Sequence, residues 1–214
     1  MPMSNEARDY ATRPAKVRLG DACEILENLL DSTITGEWGE ECAPGAGVFV
    51  LRTTNFTNVG EVSYADVVER AIAVEKVRRK KLQPGDIILE KSGGTKDCPV
   101  GRVVYFDREE GTYLCNNFTQ VLRPAADRVF PRYLFYALFA KYKMRVTDGL
   151  YNKTTGIQNL QVKKYLKLPI PVRSIPEQKR IAARFDAICE IISKREEQLK
   201  KLNQLVKSRF VEAA

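Results

Sequence analysis

The chain has 214 residues, 44% of them hydrophobic, which suffices for one ordinary domain with a real core. It carries 35 lysines and arginines against 27 acidic residues, a formal charge of +8, and no histidine. The charge favours a polyanionic partner. The missing histidine removes the commonest general base, every Ser-His or Cys-His pairing and the usual metal ligand, so most hydrolytic mechanisms fall away.

No apolar run approaches the length needed to span a bilayer, and the first residues hold no signal-peptide core, so a soluble, cytoplasmic protein without a membrane partner is expected. Five cysteines without a C-x-x-C pair suggest neither a disulfide framework nor a zinc site, and no metal site is expected.

In chain order, residues 1–16 are polar and expected to fray. Lys16 to Leu19 alternates as a short strand, Gly20-Asp21 turns the chain, and Ala22, Ile25, Leu26 and Leu29 give a short helical face. Asp31 to Gly47, rich in glycine and holding the only tryptophan, Trp38, reads as a long surface loop. Val48 to Leu51 is a buried strand that emerges at Arg52-Thr53-Thr54-Asn55. Lys76 to Lys81 is strongly basic. Pro84-Gly85-Asp86 turns into a core strand, Ile87-Ile88-Leu89, followed by the polar glycine loop Glu90 to Lys96. Val100 to Phe106 and Thr112 to Leu122 read as two further strands.

Pro131 opens an aromatic-rich helix in which Leu134, Ala137, Leu138 and Met144 suit the core face, and its tyrosines suit packing better than base stacking. Thr147 to Leu160 reads as a polar loop, and Leu168-Pro169-Ile170-Pro171 as an extended lead into a terminal helix. That helix begins at a Ser174-x-x-Glu177 capping box with Pro176 in its first turn. Ile181, Phe185, Ile188, Ile192, Leu199, Leu202 and Val206 recur at steps of four and three, broken at Arg195, which is coiled-coil seam spacing and calls for a partner helix. The predicted architecture is α/β (α+β): a mixed-sheet domain over residues 1–173 and one long helix over 174–214.

Catalytic spacings are missing. Gly93-Gly94-Thr95-Lys96 lacks the spacing of a phosphate loop, and Gly45-Ala46-Gly47 precedes a strand rather than joining strand to helix. Asp86 and Glu90-Lys91 faintly resemble a nuclease carboxylate cluster, but with the wrong spacing, and a structural role is the better reading. What remains are polar loops of the side-chain types that read base edges and phosphates.

The order Val17-x-Leu19-Gly20-Asp21, Arg52-x-x-Asn55, Leu82-x-Pro84-Gly85-Asp86-Ile87-Ile88, Ser92-Gly93-Gly94 and Val100-Gly101-Arg102 resembles the target recognition domain of type I restriction-modification specificity subunits. The resemblance runs on through Asn117-Phe118, Leu122-Arg123-Pro124, Tyr133-Leu134 and Thr155-Gly156-Ile157-Gln158-Asn159-Leu160. It is strongest in Leu168-Pro169-Ile170-Pro171 and Pro176-Glu177-Gln178-x-x-Ile181-Ala182.

The resemblance implies a non-catalytic subunit that binds double-stranded DNA, reads a bipartite target, and docks methyltransferase and restriction endonuclease subunits. S-adenosylmethionine, ATP and magnesium would sit on those partners, with no cofactor on this chain. Family members commonly hold two recognition domains and two helices, and this chain has one of each, so it resembles a half-subunit. Two copies pairing through Ile181, Phe185, Ile188, Ile192, Leu199, Leu202 and Val206 would restore two heads as a homodimer. Pairing with a different half, or a truncated allele, is the alternative, as is a coiled-coil adaptor with no DNA role. The expected DNA-reading residues are Arg52, Thr53, Asn55, Lys91, Ser92, Thr95, Lys96, Asn152, Lys153, Thr154, Thr155 and Gln158.

Overall fold

The computed structural model describes residues 22–154 and 156–212. The expected strand at Lys16 to Leu19 and the turn at Gly20-Asp21 lie outside them. The region predicted as a short helix is instead strand β1 (Ala22–Ile25) followed by a single 3-10 turn at Leu26–Leu29. Leu26 and Leu29 are buried, so their three-residue spacing fits a 3-10 turn as well as an α-helix.

The centre is an antiparallel four-stranded sheet in the order β2-β9-β5-β7, made of β2 (Leu30–Thr35), β9 (Thr119–Pro124), β5 (Ile87–Glu90) and β7 (Val103–Tyr105). Its central strands are covered on both faces. Ile87, Leu89, Val103 and Leu122 point into one core cluster, and Ile88, Val104 and Val121 into the other. Strand alternation therefore explains why the β5 sequence is a continuous apolar run.

The second cluster is closed by a three-stranded sheet of β4 (Val68–Arg70), β3 (Val48–Leu51) and β8 (Tyr113–Cys115), with β3 and β8 parallel. The stretch Thr112 to Leu122, predicted as one strand, is thus two strands in different sheets, broken at Asn116 to Phe118. The expected loop from Asp31 likewise gives its first residues to β2, and Trp38 lies under the Arg70 guanidinium at 4.2 Å. The basic stretch forms helix α1 (Val74–Lys80), where Lys76 and Lys80 both pair with Glu37. These two contacts hold the Glu37 carboxyl below its usual range.

The first cluster is closed by α2 (Pro131–Lys143). Leu134 and Leu138 are fully buried as expected, and Tyr133, Phe135, Tyr136 and Tyr142 join them. Met144, assigned to the core face, is 48% exposed because the helix ends before it. The following segment, predicted as a loop, is a hairpin of β10 (Tyr151–Thr154) and β11 (Ile157–Leu160), followed by the short helix α3 (Val162–Tyr165). Strand β12 (Pro169–Val172) pairs antiparallel with β1 and delivers the chain to α4 (Ile175–Glu212).

Glu177 closes the acidic half of the capping box, accepting from the Ser174 N–H at 3.3 Å and the Ser174 hydroxyl at 2.8 Å. The boundary between head and helix is not clean at residue 174. Gln178 and Ala182 are buried, with the Gln178 amide accepting from Phe130 N–H and donating to Arg173 C=O. Arg132 on α2 reaches Asp186 at 2.7 Å, and the Tyr136 hydroxyl donates to the same carboxylate. The first turns of α4 are therefore part of the head.

Candidate nucleic-acid interface

Strand β5 leaves the core at Glu90, whose carboxylate is 3.0 Å from Arg102 Nε. Arg102 also donates to the Thr53 and Phe56 carbonyls, at 2.8 and 3.2 Å, so one guanidinium ties three segments together. Burial pushes the Glu90 carboxyl up, and the adjacent Arg102 charge and hydrogen bond pull it back down. Asp86, the other acid of the supposed cluster, accepts from Arg123 Nε and Nη2 at 2.8 and 2.7 Å. Both carboxylates are structural.

Beyond Glu90 the chain forms β6 (Ser92–Gly93), which pairs with β11, and β11 pairs with β10. Two loops far apart in sequence thus become one small sheet in the order β10-β11-β6. Gly94 allows the turn that follows. It has φ +63°, and a Cβ there would lie 2.7 Å from the Val100 nitrogen and 2.9 Å from Gln158 Oε1.

Alternation along β11 decides which side chains face outward. Ile157 and Asn159 are exposed, whereas Gln158 and Leu160 are buried. Asn159 stands opposite Asn152 on β10 and Ser92 on β6, and the Ser92 hydroxyl donates to Asn159 Oδ1 at 2.8 Å. Asn152, Asn159 and Ser92 therefore form a row across all three strands. Asn152 is further fixed by Gln161, whose amide donates to it at 2.8 Å. Lys91, half exposed, precedes Ser92 and stands opposite the buried Leu160, whose N–H donates to its carbonyl, and Thr95 and Lys96 are exposed in the turn after β6.

Several expected reading residues do not stand there. Gln158 is 4% exposed; its Oε1 accepts from Val100 N–H and its Nε2 donates to Thr95 C=O, which locks the glycine turn instead of facing outward. Asn55 is 2% exposed, donating to the Ser63 and Asp66 carbonyls and accepting from Arg52 N–H. Both amides are fully engaged inside the protein. Arg52 pairs with Asp66 at 2.8 Å, and Thr53 offers its carbonyl to Arg102, so the 52–55 segment serves as a brace. The Thr95 hydroxyl accepts from Cys98 N–H and pins the 95–98 turn. Lys153 and Thr154 belong to β10 by their backbone, and Thr155 lies outside the described residues.

Asn159 was not among the expected reading residues. Strand parity turns it outward once Gln158 is buried, but the sequence does not say which of the two faces is covered.

A family model for the type I restriction modification DNA specificity domain matches residues 15–204. The chain belongs to that family. Solved structures agree on the fold. The S subunit of a type I restriction-modification system from M. genitalium shares 16% identity at a TM-score of 0.56, covering 83% of this chain and 41% of that one. The HsdS subunit from Thermoanaerobacter tengcongensis shares 19% at a TM-score of 0.56, covering 85% and 40%. A third structure, described as the basis of complex assembly and conformational transition of the type I R-M system, shares 20% at a TM-score of 0.58, covering 88% and 46%. The chain thus spans less than half the length of these three solved chains. No curated protein sequence matches it. Among the described residues, no helix is long and apolar enough to cross a membrane.

Proposed function

We propose that this chain is a DNA-reading module of a type I restriction-modification complex that recognises one half of a bipartite target with the outer face of the β10-β11-β6 sheet. The observation that carries this reading is the Asn152-Asn159-Ser92 row, three hydrogen-bonding side chains in register on one face, with exposed Lys96 in the turn that follows β6 and a chain of charge +8. Asn side chains suit the paired donor and acceptor of adenine, hydroxyls suit either base edges or phosphate, and lysines suit phosphates. The chain itself performs no chemistry. Methyl transfer and cleavage, with S-adenosylmethionine, ATP and magnesium, fall to the methyltransferase and endonuclease subunits that it docks, and the complex works on DNA in the cytoplasm.

Helix α4 supplies the means of assembly. Of the first two seam residues, Ile181 is half-buried against the head's core, and Phe185, 46% exposed, lies along Tyr136 with ring centroids 5.1 Å apart. The remaining seam from Ile188 to Val206 is about half exposed. Ile191 and Leu205 are also exposed and share one further heptad position, so the apolar face is broader than a two-position seam. Arg195 and Gln198 hydrogen-bond to each other at 3.2 Å and place a polar layer on both rows. Two copies joined along this face would carry two identical heads. Replacing Arg195 with leucine is expected to change the oligomeric state or the pairing in light scattering; a gain in stability alone would remove it as a register device.

The decisive experiment is sequencing of modified adenines in the source cell. A homodimer predicts an inverted repeat with an unread spacer, and a non-palindromic bipartite site would instead require pairing with a different half. At the level of single residues, Lys96→Ala should reduce the slope of log affinity against log salt by about 0.9, one phosphate contact. An unchanged slope removes Lys96 from the interface.

A further inference from the structure

Phe118 is 45% exposed on a turn whose backbone is firmly held. Asn116 N–H donates to Leu51 C=O at 2.9 Å, Asn116 C=O accepts from both the N–H and the hydroxyl of Thr119, and Phe118 C=O accepts from Lys91 and Ser92 N–H at 2.9 and 3.0 Å. The backbone that carries the exposed ring is therefore fixed against Lys91 and Ser92, at the edge of the reading sheet. On the other side of the same turn, Gly36 packs so closely on Asn116 that a Cβ would lie 1.8 Å from its carbonyl oxygen. The Gly36 carbonyl in turn meets Lys80 at the end of α1, a helix that carries exposed Arg78 and Arg79.

An isolated exposed phenylalanine is ordinary on a protein surface. This one stands between a basic helix and the Lys91-Ser92 edge of the reading sheet, with exposed Ile157 on the outer face of that sheet. The surroundings are cationic and polar, which suits a nucleic-acid duplex better than an apolar protein patch.

We propose that Phe118 is a specificity-determining residue that makes an apolar contact with a base, either the methyl group of a thymine or the face of a partly unstacked base, while α1 and Lys91 hold the flanking phosphates. This rests on the DNA-reading role of the sheet. Aromatic and aliphatic side chains are used in both ways at duplex DNA, and neither contact involves counterion release.

The test is selection of a random-sequence duplex library by the full chain and by Phe118→Ala, followed by affinity measurements on the enriched wild-type sequence at several salt concentrations. Phe118→Ala should bind that sequence about tenfold more weakly, lose preference at one or two adjacent positions, and keep the salt slope. Phe118→Leu should retain most of the preference. Replacing thymine by deoxyuridine at those positions weakens wild-type binding if the methyl is the contact, and leaves it unchanged if a base face is. A wild-type chain that enriches a sequence which Phe118→Ala binds equally well, with the same preferences, overturns the role of Phe118 alone. A wild-type chain that enriches no sequence overturns the DNA-reading role and this inference with it. Thermal melting of both variants separates lost contact from lost fold.

Discussion

Replacement of Arg102 by methionine is expected to destabilise the head by about 3–5 kcal/mol, because it leaves a buried carboxylate without its counter-charge. The Glu90 side chain is 5% exposed and that of Arg102 is 14%, so solvent cannot take over the pairing. The loss is also expected to depend on pH. Burial already raises the Glu90 carboxyl above the ordinary glutamate range, and Arg102 is what opposes that rise. Without Arg102 the folded-state value climbs further while the unfolded value stays put. A carboxyl that binds its proton more tightly when folded loses stability as pH rises past the unfolded value. The variant should therefore be closest to wild type near pH 4 and fall away toward neutrality, as read by urea unfolding across that range. A pH-independent difference would mean that Arg102 acts only through its hydrogen bonds to Thr53 and Phe56. Glu90→Gln together with Arg102→Met should recover part of the loss, since a neutral amide is less costly to bury.

The second large effect is expected on α4. Leu199→Asp places a carboxylate in the apolar seam of each copy and should weaken self-association by at least about 3 kcal/mol, more than a hundredfold in Kd. Because Leu199 is 60% exposed in the single chain, the head should melt as the wild type does. Sedimentation at matched concentrations reads the first quantity and calorimetry the second. A wild-type chain that stays monomeric at micromolar concentration would rule out pairing of copies through this face. By contrast, Phe185→Asp should disturb the head itself, since that ring lies on Tyr136.

These two positions also show what kind of information the chain carries locally. The run Ile87-Ile88-Leu89 behind Pro84-Gly85-Asp86 is legible as a strand buried on both faces, and the structure places it at the centre of the main sheet. Pro131 starts α2 because its ring presets the helical φ and it has no N–H to satisfy, and Glu177 marks the start of α4 by accepting from the Ser174 N–H. Misreadings came where pattern was thin. Thr112 to Leu122 has no glycine or proline at its break, so the turn at Asn116 to Phe118 is marked only by the weaker signal of Asn116-Asn117. Tyr151 to Leu160 is polar because its hairpin has one open face, and polarity reads as loop.

By itself the sequence determined the charge, the absence of histidine, the capped terminal helix with its apolar stripe, and the ordered motifs of the type I restriction modification DNA specificity domain. These are whole-chain counts or patterns of residues close together in the chain, and none requires knowing what packs on what. Only the tertiary structure decided that Gln158 and Asn55 turn inward while Asn159 turns outward. A strand's two faces are equivalent until something covers one of them. Here the covering of Gln158 comes from the Thr95 to Val100 turn, held by hydrogen bonds between residues 58 and 63 positions apart in the chain.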